Sequence, residues 1–170
     1  MELGLTGKVA VVTGGSRGIG LATAECLIAE GVKVIIAARR QEHLDSAASR
    51  LGVDAIQIDV TKIPDLDRLS AHVEHEYGGV DILVNNAGIT RHARDHADLD
   101  ALKREDFMDT YAVNVAGPFL MMQACKGLLV KAYETTGRAS AVLNVSSIAG
   151  VTGIGSSVAY AATKGALNTM

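Results

Sequence analysis

Short apolar bursts rich in valine and isoleucine alternate along this chain with longer mixed stretches, and glycines stand where one gives way to the other. Residues 8–13 (KVAVVT) read as a buried strand running straight into glycines. Residues 32–37, 55–58, 81–85 and 139–145 repeat the strand pattern. Between them, residues 19–30 predict a helix with Ile19, Ala22, Thr23, Cys26 and Leu27 on one stripe and Gly31 as its stop. Residues 41–51 predict a second helix ended by Gly52. Residues 64–77 predict a third, opened by Pro64, whose missing N–H does little harm in a first turn. A long helix is expected from about Lys103 to about Tyr133, and a last one begins at Ser157.

Strands alternating with helices in this way imply βαβ units, hence a parallel sheet covered on both faces by right-handed crossovers. The expected fold is a doubly wound α/β domain with strand order 3-2-1-4-5, a single domain over residues 1–170. Such a sheet opens a ligand crevice at the carboxyl ends of its strands, where the order reverses.

Composition narrows the setting. The 170 residues are 48% hydrophobic and 21% charged, a globular balance, and the net charge of −3 argues against nucleic acid as a partner. No apolar run approaches the roughly 18 residues of a membrane span, and the first residues lack a signal peptide's basic start and apolar core. Two widely spaced cysteines suggest neither a disulfide framework nor a zinc site. A soluble cytoplasmic protein is expected. His92 and His96 stand four apart in the polar connection 90–99; with no third ligand in the pattern they read as a solvated loop, and no metal is expected.

The first strand runs into Thr13-Gly14-Gly15-Ser16-Arg17-Gly18-Ile19-Gly20. Small residues at this point let the backbone turn tightly and approach a pyrophosphate, whose charge then sits on the free N–H groups of the next helix. At the end of the second strand a binder of NAD usually carries an acidic residue for the ribose 2′-hydroxyl. Here the chain reads Ala37-Ala38-Arg39-Arg40, with no acid before Glu42. Guanidinium groups grip a 2′-phosphate that a carboxylate would repel, and Arg17 is within the turn beside them. NADP is therefore expected over NAD.

Further chemistry gathers where the crevice should lie. Asn85-Asn86-Ala87-Gly88 ends the fourth strand, Asn114 lies in the long helix, and Ser146-Ser147 ends the fifth strand. Tyr160 and Lys164 are four apart in the final helix, hence on one face. A phenol is a poor acid–base group at neutral pH unless a neighbouring cation favours its phenolate. Ser147 supplies a hydroxyl thirteen positions before Tyr160.

Taken together, the glycine turn 13–20, Asp59-Val60, Asn85 to Gly88, Asn114, Ser147 and Tyr160-Ala161-Ala162-Thr163-Lys164 resemble the short-chain dehydrogenase/reductase family, and within it the 3-oxoacyl-carrier-protein reductase-like branch. The resemblance implies that Tyr160 exchanges a proton with the carbonyl or alcohol oxygen of a small-molecule substrate. Lys164 would lower the tyrosine pKa and hold the nicotinamide ribose, and Ser147, with Ser146 second, would donate to the substrate oxygen. Asn114 would hold a water joining Lys164 to solvent, Asp59 would contact adenine, and Asn86 would fix the strand end. Tyr160, Gly14, Ser16, Arg17, Gly18, Ile19, Gly20, Arg39, Arg40, Val60, Ala87 and Gly88 complete the expected cofactor-binding set. A nucleotide-binding module without turnover is the alternative class; a binder has no need of Asn114, Ser147, Tyr160 and Lys164 together.

Pro118, four residues after Asn114, removes the donor that the Asn114 carbonyl would otherwise use; it is expected either to free that oxygen for the relay water or simply to kink the helix for better packing. Residues 119–133 are apolar around most of the helix, which predicts a homodimer or homotetramer. The family's fold continues through a sixth strand, a Pro-Gly turn and a substrate loop, so the resemblance implies that this sequence is a longer enzyme cut short.

Overall fold

A computed structural model describes residues 3–90 and 98–170. Five parallel strands form one sheet: β1 (Val9–Thr13), β2 (Lys33–Ala38), β3 (Asp54–Gln57), β4 (Ile82–Asn85) and β5 (Ala141–Asn144), in the order β3-β2-β1-β4-β5. Every residue of β1 is buried, because side chains of a central parallel strand alternate between two covered faces. Val9 and Val11 point into one core with Leu69 and Val73 of α3 (Ile63–Tyr77) and Met121 and Cys125 of α5 (Gly117–Thr136). Ala10 and Val12 point into the other, with Ala24 of α1 (Gly18–Ala29) and Leu44 of α2 (Gln41–Leu51). Both the expected topology and the two-faced covering are present.

The stripe expected on α1 is not the buried one. Ile19 is 67% exposed and Cys26 is exposed, whereas Gly20 and Ala24 are buried and Leu21, Leu27 and Ile28 pack on the core. This helix is apolar on most sides, so hydrophobicity alone does not choose its face; the close approach allowed by Gly20 does.

The single long helix is also corrected. It is three segments, α4 (Arg104–Tyr111), a π-helical turn over Ala112–Ala116, and α5. Pro118 has no N–H to give to the carbonyl four residues back, and the chain absorbs the mismatch by widening one turn. The Gly117 N–H accordingly bonds to the Ala112 carbonyl, five residues back. The helical run Arg104–Thr136 is, by length and composition, apolar enough to cross a membrane, which the sequence pattern did not suggest. Met121, Cys125 and Leu128 nevertheless fix it in the core against the sheet.

Two short elements were not expected, a 3₁₀ turn at Leu99–Ala101 and α6 (Ala149–Thr152), which precedes α7 (Val158–Asn168). Strand β5 forms one edge of the sheet, with Val142 and Leu143 exposed. The pair His92 and His96 lies outside the described residues.

Candidate active site

The glycine turn is anchored by two side chains from neighbouring strands. The Thr13 hydroxyl, at the end of β1, donates to the Val84 carbonyl (3.2 Å) and accepts the Asn86 and Ala87 N–H groups (both 3.0 Å). The Asn86 amide donates back to the carbonyls of Thr13 (2.9 Å) and Gly14 (3.2 Å). This amide is where the glycines matter. A Cβ at Gly20 would stand 2.4 Å from Asn86 Nδ2, and one at Gly14 2.8 Å from it, so no larger residue fits either place. Asn86 thus ties β4 to the turn, and the Gly14 N–H adds the end of β2 through the Ala37 carbonyl (2.7 Å).

A cleft of about 350 Å³ opens above these strand ends. It gathers Gly14, Ser16, Arg17, Gly18 and Ile19 from the turn, Ala38, Arg39 and Arg40 from the end of β2, and Val60, Asn86, Ala87 and Gly88 from the other side. Of the expected cofactor residues, Gly20, Asp59, Tyr160 and Lys164 do not line the cleft; Gly20 is a buried spacer under the turn. Asp59 faces an adjoining hollow shared with Arg17, Arg39 and Arg40. Its Oδ1 accepts the Thr61 N–H (3.0 Å) and hydroxyl (2.7 Å), which shapes the chain leaving β3. Six wall residues were not nominated from the sequence: Ala37, Ala38, His43, Ile58, Ile89 and Val113. His43 lies in the first turn of α2 beside the arginines.

These residues fit a dinucleotide. Gly14 and Gly20 let the turn close tightly on Asn86, three guanidinium groups line the cleft beside it, and Ile58, Val60 and Val113 provide apolar walls for a flat base.

The second half of the site is carried by α7. Ser157 caps it, its buried hydroxyl accepting the Tyr160 N–H (3.2 Å), and so sets where the helix starts. One turn later the Lys164 ammonium lies 5.7 Å from the centre of the Tyr160 ring. Lys164 is only 5% exposed, and its Nζ donates to the Val145 carbonyl at the end of β5 (2.6 Å). Burial holds its pKa below the ordinary lysine value.

The two serines after β5 are differently employed. Ser146 shares its one hydroxyl hydrogen between Asn168 Oδ1 (2.5 Å) and the Lys164 carbonyl (3.3 Å), bolting the strand end to α7. Ser147 accepts the Ala149 N–H (3.2 Å) at the opening of α6. Gly150 of α6 lies against α7 so closely that a Cβ there would stand 2.5 Å from the Lys164 carbonyl carbon.

Asn114 sits within the π-helical turn and is buried. Its Oδ1 accepts the Ile89 N–H (2.8 Å), and its Nδ2 donates to the Ile89 carbonyl (2.9 Å) and the Thr163 hydroxyl (3.1 Å). Gly88 joins the two halves, since a Cβ there would lie 3.4 Å from Asn114 Oδ1 and 3.8 Å from Lys164 Nζ. Thr163 was not singled out from the sequence for any role; its only signal is a small hydroxyl beside the lysine.

The family model for short chain dehydrogenase matches residues 8–170. Galactitol 2-dehydrogenase of Agrobacterium fabrum is 35% identical over 165 residues, 96% of this chain and 61% of that protein. Sorbitol dehydrogenase of Cereibacter sphaeroides is 38% identical over the same shares of the two chains. The crystal structure of a short-chain dehydrogenase from Streptomyces avermitilis superposes with a TM-score of 0.82 at 36% identity, covering 96% of this chain and 58% of that one. The chain spans about three-fifths of the length of the curated relatives it matches. With the glycine turn, the five-stranded order and the paired tyrosine and lysine in place, this chain belongs to the short-chain dehydrogenase family.

Proposed function

We propose that the protein is an NADP-dependent oxidoreductase that interconverts a secondary alcohol and its carbonyl on a small-molecule substrate. The observation that carries this reading is the Tyr160–Lys164 pair, packed one helical turn apart beside Gly88 at the strand ends. The nicotinamide, when bound, supplies or accepts the hydride. The chain's own work is at the substrate oxygen. Tyr160 gives that oxygen a proton in reduction and takes it back in oxidation, and the Lys164 ammonium favours the phenolate so formed. Ser147 donates a hydrogen bond to the same oxygen and stabilises its developing charge. Both Asn114 Nδ2 hydrogens are used on Ile89 and Thr163, and its backbone carbonyl, relieved of its usual donor by Pro118, is the group that would hold a water behind Lys164.

The preference for NADP over NAD rests on Arg17, Arg39 and Arg40 sharing one cleft wall, with no acid at the end of β2. Its test is steady-state kinetics of the Arg39→Ala/Arg40→Ala double variant. KM for NADPH should rise more than tenfold with that for NADH little changed; an equal change in both contradicts the assignment. The relatives named for galactitol and sorbitol support polyols as the first substrates to try. A 3-oxoacyl thioester is the second class, and a side-by-side panel decides between them. NADPH bound with no turnover on either class would contradict the enzymatic reading. Unbridged Cys26 and Cys125 support a reducing, cytoplasmic setting.

A further inference from the structure

We infer that Thr163 is a positioning residue, which locks the Asn114 amide to the turn of α7 that carries Tyr160 and Lys164; its bearing on turnover rests on the function proposed above. Thr163 is 1% exposed, and its one hydroxyl is used in both directions. It donates to the Tyr160 carbonyl (2.7 Å) and accepts Asn114 Nδ2 (3.1 Å). The Asn114 amide in turn grips Ile89 by both its N–H and its carbonyl. A single hydroxyl therefore links three segments that are far apart in sequence: the chain leaving β4, the π-helical turn, and α7.

The connection matters because each segment supplies a different part of the site. Ile89 and Gly88 are cleft wall, Asn114 offers its backbone oxygen, and α7 carries the proton-transferring pair. The π-helical turn widens the helix just where Asn114 faces α7. Without the Thr163 hydroxyl the Asn114 amide loses its hydrogen bond to α7, and one of its buried N–H groups is left unpaired. The amide would then turn away from Ile89, and the cleft wall would move independently of Tyr160.

Backbone amide exchange on the full chain, followed by nitrogen-15 NMR, reads this lock without any turnover. In Thr163→Val, exchange at the Ile89 amide should rise about tenfold beyond any change at the β1 amides Val11 and Val12, and Thr163→Ser should restore it. Equal acceleration at Ile89 and β1 would mean a general loss of stability and overturn the inference. In the enzyme, Thr163→Val should lower kcat about tenfold with KM for NADPH within twofold, and Thr163→Ser should recover most of it. Wild-type kcat in Thr163→Val would equally overturn it. A wild-type chain that turns over no substrate defeats the proposed function alone, since the exchange at Ile89 still decides the lock.

Discussion

The Lys164 ammonium is buried to 5% exposure with one carbonyl, that of Val145, as its hydrogen-bond acceptor. Loss of hydration holds its pKa below the ordinary 10.5. Between that lowered value and 10.5 the folded chain binds fewer protons than the unfolded one, so stability rises with pH across the interval. Below it, the buried charge opposes folding in full. The stability of the wild type relative to Lys164→Met should therefore climb as pH approaches 10.5, measured as the difference in urea midpoints. A difference that stays flat or falls would contradict a buried, charged Lys164. At this scale Tyr160, Lys164, Ser147 and the glycines stood out in the sequence as candidates, because the acid–base chemistry and phosphate binding proposed for them demand particular residue types at fixed offsets. Thr163, Gly150 and His43 did not. Nothing about a threonine, a glycine or a histidine alone says that it will face an amide, a helix backbone or a row of arginines.

Among the elements, the strands were readable because a parallel sheet buried on both faces needs continuous Val and Ile runs, whereas the strand order was a choice among doubly wound arrangements that right-handed crossovers all allow. The π-helical turn was not readable, although its cause was in view. Pro118 announces a missing hydrogen bond but does not say whether the helix will kink, stop or widen. Widening won, and it placed Asn114 inward. Helix α6 is shorter than any periodicity can reveal, yet it sets the distance between Ser147 and α7 by laying Gly150 against the Lys164 backbone. Gly150→Ala forces that contact apart. The expected loss is about 1–3 kcal/mol of stability, seen as a lower denaturant midpoint. Turnover should fall further than stability alone explains, because Ser147 and Tyr160 separate. A variant as stable and active as the wild type would show that α6 does not position the site.

The whole molecule opens its cleft at the carboxyl ends of the strands and carries its apolar surplus elsewhere. Phe107, Met108 and Tyr111 of α4 and Phe119, Val130 and Tyr133 of α5 are all substantially exposed. An apolar surface of that kind on one run of helices fits a second copy of the chain, as the apolar circumference of residues 119–133 suggested. Sedimentation equilibrium at micromolar concentration should give a dimer or tetramer mass, and Phe119→Glu/Tyr133→Glu should shift it toward monomer. A monomer for the wild type would contradict this use of the surface. The central claim, proton transfer by a phenol beside a buried ammonium, is tested most directly by Tyr160→Phe, with NADPH affinity and turnover measured on the same preparation. The account predicts unchanged NADPH affinity with turnover lost by at least a thousandfold, a general acid–base contribution within the range of about 10²–10⁴. Turnover retained within tenfold would contradict it.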